Sequence, residues 1–246
     1  MRRIKLIVAY DGTEYSGWQI QPEAPTIEMC LDKAIHELTG ENVHVTGASR
    51  TDAGVHAYGN VAVFDTESTI PGDRFTFALN RFLPDSIVIQ DSWEVSSDFH
   101  PRHCNTRKTY EYRILNTAVP LPQKRNFTWH VTGSIDIEKM KEAAAYIVGE
   151  HDFKSFCQTG AQVESTVRTI YSVEVEEQGE NDLVIRVCGN GFLYNMVRII
   201  AGTLLDIGQG KRDPMDIFTI LEAKDRSAAG PTAPAHGLTL VKYEFL

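Results

Sequence analysis

The chain has 246 residues, of which 42% are hydrophobic and 23% charged, the balance of a folded globular protein rather than a disordered or fibrous one. Its four scattered cysteines, Cys30, Cys104, Cys157 and Cys188, form no CxxC pair, which argues against a zinc site and against a disulfide scaffold, and no apolar run nears the roughly 18 residues that span a bilayer. A net charge of −9 leans away from nucleic acid, because phosphate contacts need Lys and Arg on the binding face.

Taken in chain order, Ile4 to Tyr10 alternates Ile4, Leu6 and Val8 against Lys5 and reads as a strand. Its basic start meets Asp11 and Gly12 without a small-residue cleavage site, so no signal peptide is expected and a reducing cytoplasm fits the cysteines. Ile27, Leu31, Ile35 and Leu38 lie at helical spacing and end at Gly40. "NVHVTG" (42–47) and "NVAVFDT" (60–66) read as strands, "GDRFTFALNRFL" (72–83) as a helix with Phe75, Leu79 and Phe82 on one face, and "SIVIQDSWEV" (86–95) as a strand. This is the β-α-β-β-α-β order of a split ferredoxin-like unit.

The second half repeats the order loosely. "KTYEYRIL" (108–115) is a strand, Ile137, Met140, Ala144 and Ile147 mark a helix, and "TIYSVEVEE" with "LVIRVCG" forms a hairpin around Gly179. "FLYNMVRIIAGTLLDIG" (192–208) predicts a long helix, "DPMDIFTILEA" a shorter one, and "LTLVKYEF" a closing strand. Two α+β halves are therefore expected, 1–103 and 104–246.

Charge is segregated along this pattern. Arg102, Arg107, Lys108 and Arg113 cluster with His100 and His103, whereas "VEVEEQGEND" gathers Glu174, Glu176, Glu177, Glu180 and Asp182. The first group is a candidate phosphate-binding strip or a solvated loop.

Between the strands at 42–47 and 60–66 lies "GASRTDAGVHAYGN" (47–60). Arg50 and Asp52 would project from one side of an extended segment, and a nearby guanidinium keeps a carboxylate ionised and oriented. Gly54 lets the backbone turn sharply or a ligand come close. These are attributes of a positioned nucleophile or base. Aspartate and glycine are also common turn formers, so the residue types alone leave a polar turn open. His56, between Val55 and Ala57 and without a visible triad partner, reads as structural.

"GASRTDAGVHA" resembles the signature of the TruA family of tRNA pseudouridine synthases. "YDGTEYSGWQIQP", "FHPRHCNTRKTYEYRI", "GFLYNMVRIIAGTL" and "GPTAPAHGLTLVKYEF" resemble further family segments in the family's order. Ser49 and Asn60 depart from it, where glycine and glutamine are frequent, which bears on local loop geometry. The resemblance implies an α+β pseudouridine synthase fold, with two ferredoxin-like halves and mainly antiparallel sheets joined around a central active-site cleft.

It implies, further, isomerisation of uridine to pseudouridine at positions 38, 39 and 40 in the anticodon stem-loop of tRNA, by a cytoplasmic homodimer without metal or organic cofactor. The essential acid would be Asp52. Arg50 would pair with it and help hold the target nucleotide out of its helix. Tyr110 would stack on the uracil, and Arg198 would be a second arginine near the acid. Read without the family, Tyr110 is a core strand aromatic and Arg198 a helix-surface arginine, and Trp18 is either core or near the RNA. A non-catalytic RNA-binding protein would need the glycine-aromatic signature of an RNA-recognition motif, which is not found, and a glycosidase would want a second carboxyl group tied to Asp52.

Overall fold

Alternation holds through the first strand, β1 (Arg2–Tyr10), where Ile4, Leu6, Val8 and Tyr10 are buried and the residues between them are less so. The computed structural model describes residues 1–160 and 163–246. It divides into two units, Met1–Asn105 with Leu240–Leu246, and Thr106–Thr239. As expected, it is an α+β fold with mainly antiparallel sheets.

In the first unit α1 (Ile27–Thr39) follows β1. The Thr26 side chain accepts from the Met29 N–H and caps the start, and Gly40 closes the helix at φ 77°, as its place past the last turn predicts. Ile27, Leu31, Ala34 and Ile35 form its buried stripe. β2 is shorter than the sequence predicts: only Thr46–Gly47 pairs, because the Asp32 carboxylate takes the Val45 N–H at 2.8 Å and removes a donor the ladder would need. β3 (His56–Thr66) pairs antiparallel with β1 from Arg2 opposite Thr66 to Val8 opposite Asn60. The register then slips before Tyr10, a bulge beside the loop that leads into β3.

The helix expected over 72–83 is a 3₁₀ turn at Gly72–Arg74 followed by a short α2 (Phe75–Leu79). Asn80 leaves the helix to bond both backbone groups of Ile89, and Phe82 is exposed rather than in the core. Ile89 belongs to β4 (Ile87–Val95), which pairs with β1 on the side away from β3.

The second unit begins with β5 (Thr106–Asn116), with the short β6 (Trp129–Val131) parallel to it. α3 (Ile137–Ile147) is capped by Asp136 and buries Met140, Ala143, Ala144 and Ile147. β7 (Gly149–Asp152), β8 (Val167–Glu177) and β9 (Asp182–Gly189) continue the sheet from β5 in the order β5-β9-β8-β7, all antiparallel.

α4 (Met196–Gly208) starts four residues later than the sequence predicts. Asn195 has φ 59°, a left-handed conformation that no residue inside a right-handed helix adopts. Nearly every α4 side chain is buried, Arg198 and Asp206 excepted, so this helix is the unit's core. α5 (Asp216–Ala223) and β10 (Leu238–Phe245) complete the chain, and β10 contributes Leu240 onward to the first unit.

Candidate active site

Arg50 and Asp52 lie on the loop between β2 and β3, with Asp52 half-buried and Arg50 exposed. The loop is tied down at nearly every step. Ala48 N–H donates to the Val61 carbonyl at 2.7 Å, Trp18 N–H to that of Thr51 at 3.0 Å, and Gly54 N–H to that of Tyr15 at 3.2 Å. Val55 N–H closes a four-residue turn onto the Asp52 carbonyl at 3.1 Å, and Gly54, third in that turn, has φ 78°, the left-handed value a type II turn requires there.

Side chains beneath the loop add a buried network. The Asn60 amide spans Ser49, accepting its N–H at 3.3 Å and donating to its carbonyl at 2.9 Å. The same amide nitrogen donates to the Tyr10 hydroxyl at 3.3 Å, and that hydroxyl lies 2.8 Å from Thr51 Oγ1. Burial pushes the Tyr10 phenol far above its ordinary range, against the opposing pull of its bonds to Thr51 and Asn60, so it stays a neutral hydrogen-bonding group.

The N-terminal motif forms the floor of this loop. A Cβ on Gly17, which has φ 93°, would stand 2.6 Å from the Thr51 carbonyl oxygen, and one on Gly12 would stand 2.1 Å from that of Val55. Trp18 is 0% exposed and its indole lies against Gly47, which settles it as core. His56 is buried, and its Nδ1 accepts the Gly12 N–H at 3.0 Å, with Asp11 Oδ1 3.2 Å away. Buried and bonded to the backbone of the N-terminal motif, it is a structural part, in line with the sequence reading.

The basic strip divides between the units. In the first, Arg102 Nε donates to the Gly47 carbonyl at 2.7 Å, Tyr243 donates to the Pro101 carbonyl at 2.9 Å, and the rings of His100 and His103 stack at 3.9 Å. Burial, and then the neighbouring Arg50 charge, lower the Arg102 guanidinium from its ordinary value, so the two cations lie within electrostatic reach at the base of the Asp52 loop. In the second unit the Arg107 guanidinium sits 4.9 Å from the Tyr171 ring centre.

Tyr110 and Arg198 belong to the second unit. Tyr110 is buried on β5 opposite Val187, with its ring edge-on to Phe192 at 5.2 Å. Arg198, in the first turn of α4, donates from Nε to the Ala233 carbonyl at 2.7 Å and from Nη1 to Asn195 Oδ1 at 2.7 Å, while its own carbonyl accepts the Ala233 N–H. It is thus a pinned group at a helix start rather than a surface arginine covering apolar neighbours. The residues sequence reasoning missed are those that hold the named ones: Tyr10 and Thr51 below Asp52, and Asn195 and Ala233 around Arg198, whose only sequence signal was membership of the quoted motifs. Asn60 was marked, with Ser49, only as a departure bearing on loop geometry, and the two are bonded to each other. Among the described residues no group of three or more His, Cys, Asp or Glu side chains is placed to hold a metal ion, and no helix is long and apolar enough to cross a membrane.

Comparison with known proteins gives one consistent family. The family model described as tRNA pseudouridine synthase matches residues 6–103 and 143–245. The chain is 52% identical over 242 residues to the tRNA pseudouridine synthase A of Ruminiclostridium cellulolyticum, covering 98% of this chain and 99% of the relative. It is 50% identical to that of Acetivibrio thermocellus with the same coverage, and 49% identical to that of Brevibacillus brevis over 98% of both chains. Among solved structures, a chain of the crystal structure of a Cbf5-Nop10-Gar1 complex aligns over 82% of this chain and 54% of its own, at 16% identity and a TM-score of 0.34.

Proposed function

The chain belongs to the TruA family of tRNA pseudouridine synthases, isomerases that act on tRNA, and from that premise we propose that it converts uridines 38, 39 and 40 of the anticodon stem-loop, with Asp52 as the essential acid. The observation that carries the reading is the setting of Asp52. It is a half-buried carboxylate on a loop whose backbone is bonded to the N-terminal motif on both sides, at Thr51 and Gly54. Such fixation is what a carboxylate needs if it is to meet one atom of a substrate rather than solvent.

The isomerisation breaks the bond from uracil N1 to ribose C1′, turns the base, and forms a bond from C5 to C1′. The proton lost at C5 is matched by one gained at N1, so the balance calls for no oxidant, reductant or cofactor. Asp52 serves by attack on C1′ or on C6, or by assisting departure of the uracilate. Arg50 pairs with Asp52 and helps hold the flipped nucleotide, at a cost of a few kcal/mol in unstacking that backbone contacts offset. Tyr110 stacks on the base and its hydroxyl takes part in removing the C5 proton. Arg198 supplies the second cation, and its two anchors, at Ala233 and Asn195, support a positioned rather than a mobile guanidinium. The working form is a cytoplasmic homodimer in which each subunit lends a basic face to the RNA.

Release of tritium from tRNA labelled at uridine C5 tests the acid. Asp52→Asn, which keeps the shape and removes the charge, is expected to release none above background while still binding tRNA. Wild-type release by this variant would overturn the assignment. A base-resolved pseudouridine map of tRNA from cells lacking the protein tests the positions, and loss at sites other than 38 to 40 would overturn the specificity.

A further inference from the structure

The geometry points to Tyr10 and Asn60, acting through Thr51, as positioning residues that set the Asp52 loop for the chemical step, an inference that rests on Asp52 being the essential acid. The Asn60 amide nitrogen can only donate, and its two hydrogens go to the Ser49 carbonyl and the Tyr10 hydroxyl. The Tyr10 hydroxyl therefore accepts from Asn60, and its own hydrogen has Thr51 Oγ1, 2.8 Å away, as acceptor. Asn60 Oδ1 takes the Ser49 N–H. Every polar atom of the Asn60 amide and the Tyr10 hydroxyl is thus spent on residues 49 and 51, the first half of the loop, and all four residues are buried.

The polarity runs one way, from Asn60 to Tyr10 to Thr51, and ends on the residue preceding the acid. Thr51 is held a second time through its carbonyl, which accepts the Trp18 N–H. Its side chain and the peptide plane that leads into Asp52 are therefore both held. The Trp18 ring, 5.9 Å from that of Tyr10 and packed on Gly47, closes the space in which Tyr10 could swing away. All of these side chains are buried. Their contribution is to the fraction of time Asp52 spends in the reacting geometry.

Single-turnover tritium release at saturating enzyme, with tRNA affinity measured separately by filter binding, tests this. Tyr10→Phe and Thr51→Val should each slow release roughly tenfold or more, as small misplacements of catalytic groups do, with tRNA affinity within about twofold of wild type. Thr51→Ser, which retains the hydroxyl, should restore most of the rate. The double variant should be no slower than Tyr10→Phe, which already removes the bond that Thr51→Val removes. Trp18 fluorescence reports on folding, and Thr51→Val against Thr51→Ser keeps the comparison meaningful if Tyr10→Phe proves unstable.

Wild-type release rates in both Tyr10→Phe and Thr51→Val, or a loss confined to tRNA affinity, or failure of Thr51→Ser to recover, would overturn the inference while leaving Asp52 in place. Activity in Asp52→Asn would instead overturn the catalytic reading and this inference with it.

Discussion

A single methyl group at position 17 measures how tightly the Asp52 loop is held. Gly17 has φ 93°, and an added Cβ would lie 2.6 Å from the Thr51 carbonyl oxygen and 3.1 Å from the Asp52 carbonyl carbon. Both neighbours are backbone, so neither can turn aside as a flexible side chain would. Gly17→Ala should destabilise the protein by about 2–4 kcal/mol, from left-handed strain and overpacking together, and should slow tritium release beyond what the lost stability explains. A normal Tm with a normal rate would show that the loop does not rest on Gly17. The sequence named Gly17 only as part of a motif and left Trp18 between core and RNA contact, and composition could not say which side of the loop they occupied. Asp52 and Arg50 were legible because charge is conspicuous in a small-residue turn. The glycine and tryptophan beneath them carry no such mark, since what identifies them is a contact with Thr51, 34 and 33 residues further along the chain.

Among the elements, α4 carries both the core of the second unit and Arg198, and Gly202 links the two. A Cβ on Gly202 would stand 2.0 Å from the Pro231 carbonyl oxygen, and one on Gly230 would stand 2.7 Å from the Thr203 Cα, while the Thr203 hydroxyl accepts the Gly230 N–H at 2.9 Å. The segment 230–233 is therefore seated on α4 and delivers the Ala233 carbonyl to Arg198 Nε. Gly202→Ala should cost about 2 kcal/mol or more through overpacking, and it should also loosen Arg198, read as a larger loss of activity for Gly202→Ala than for a comparably destabilising core change such as Ile207→Ala. Equal losses would mean that Arg198 does not depend on that seat. Periodicity made α1, α3 and α4 legible, because a thirteen- or eleven-residue apolar stripe repeats enough times to stand out. It missed β6 and β7, whose three and four residues hold too few alternations. It overran α2, α4 and β2 for a different reason. At each of those ends one polar side chain or one left-handed residue, Asn80, Asn195 or Asp32, overrides the apolar pattern, and such a local event leaves no trace in a period.

For the whole molecule the question is how a chain of net charge −9 holds a polyanion. Its charges are sorted: Arg102, anchored on Gly47, lies near Arg50, whereas Lys141 on α3 is held by Glu138 at 2.8 Å with Glu176 and Glu177 nearby. Phosphate binding by the first group releases counterions from the RNA, and binding weakens with salt in proportion to the number of phosphates neutralised. The overall negative charge adds a repulsion that salt relieves, so the net slope understates the local contacts. Removing single cations separates the two effects, because one lost cation changes the net charge by the same amount wherever it sits. Arg102→Ala should reduce the slope of log affinity against log salt by about 1, the change expected for one lost phosphate contact. Lys141→Ala makes the identical change in net charge on an acidic face and should leave the slope as it was. Titrations of tRNA binding across a range of salt concentrations decide the matter: equal slopes for the two variants would mean that the chain meets RNA through its average field, and that the strip around Arg102 is a solvated loop after all.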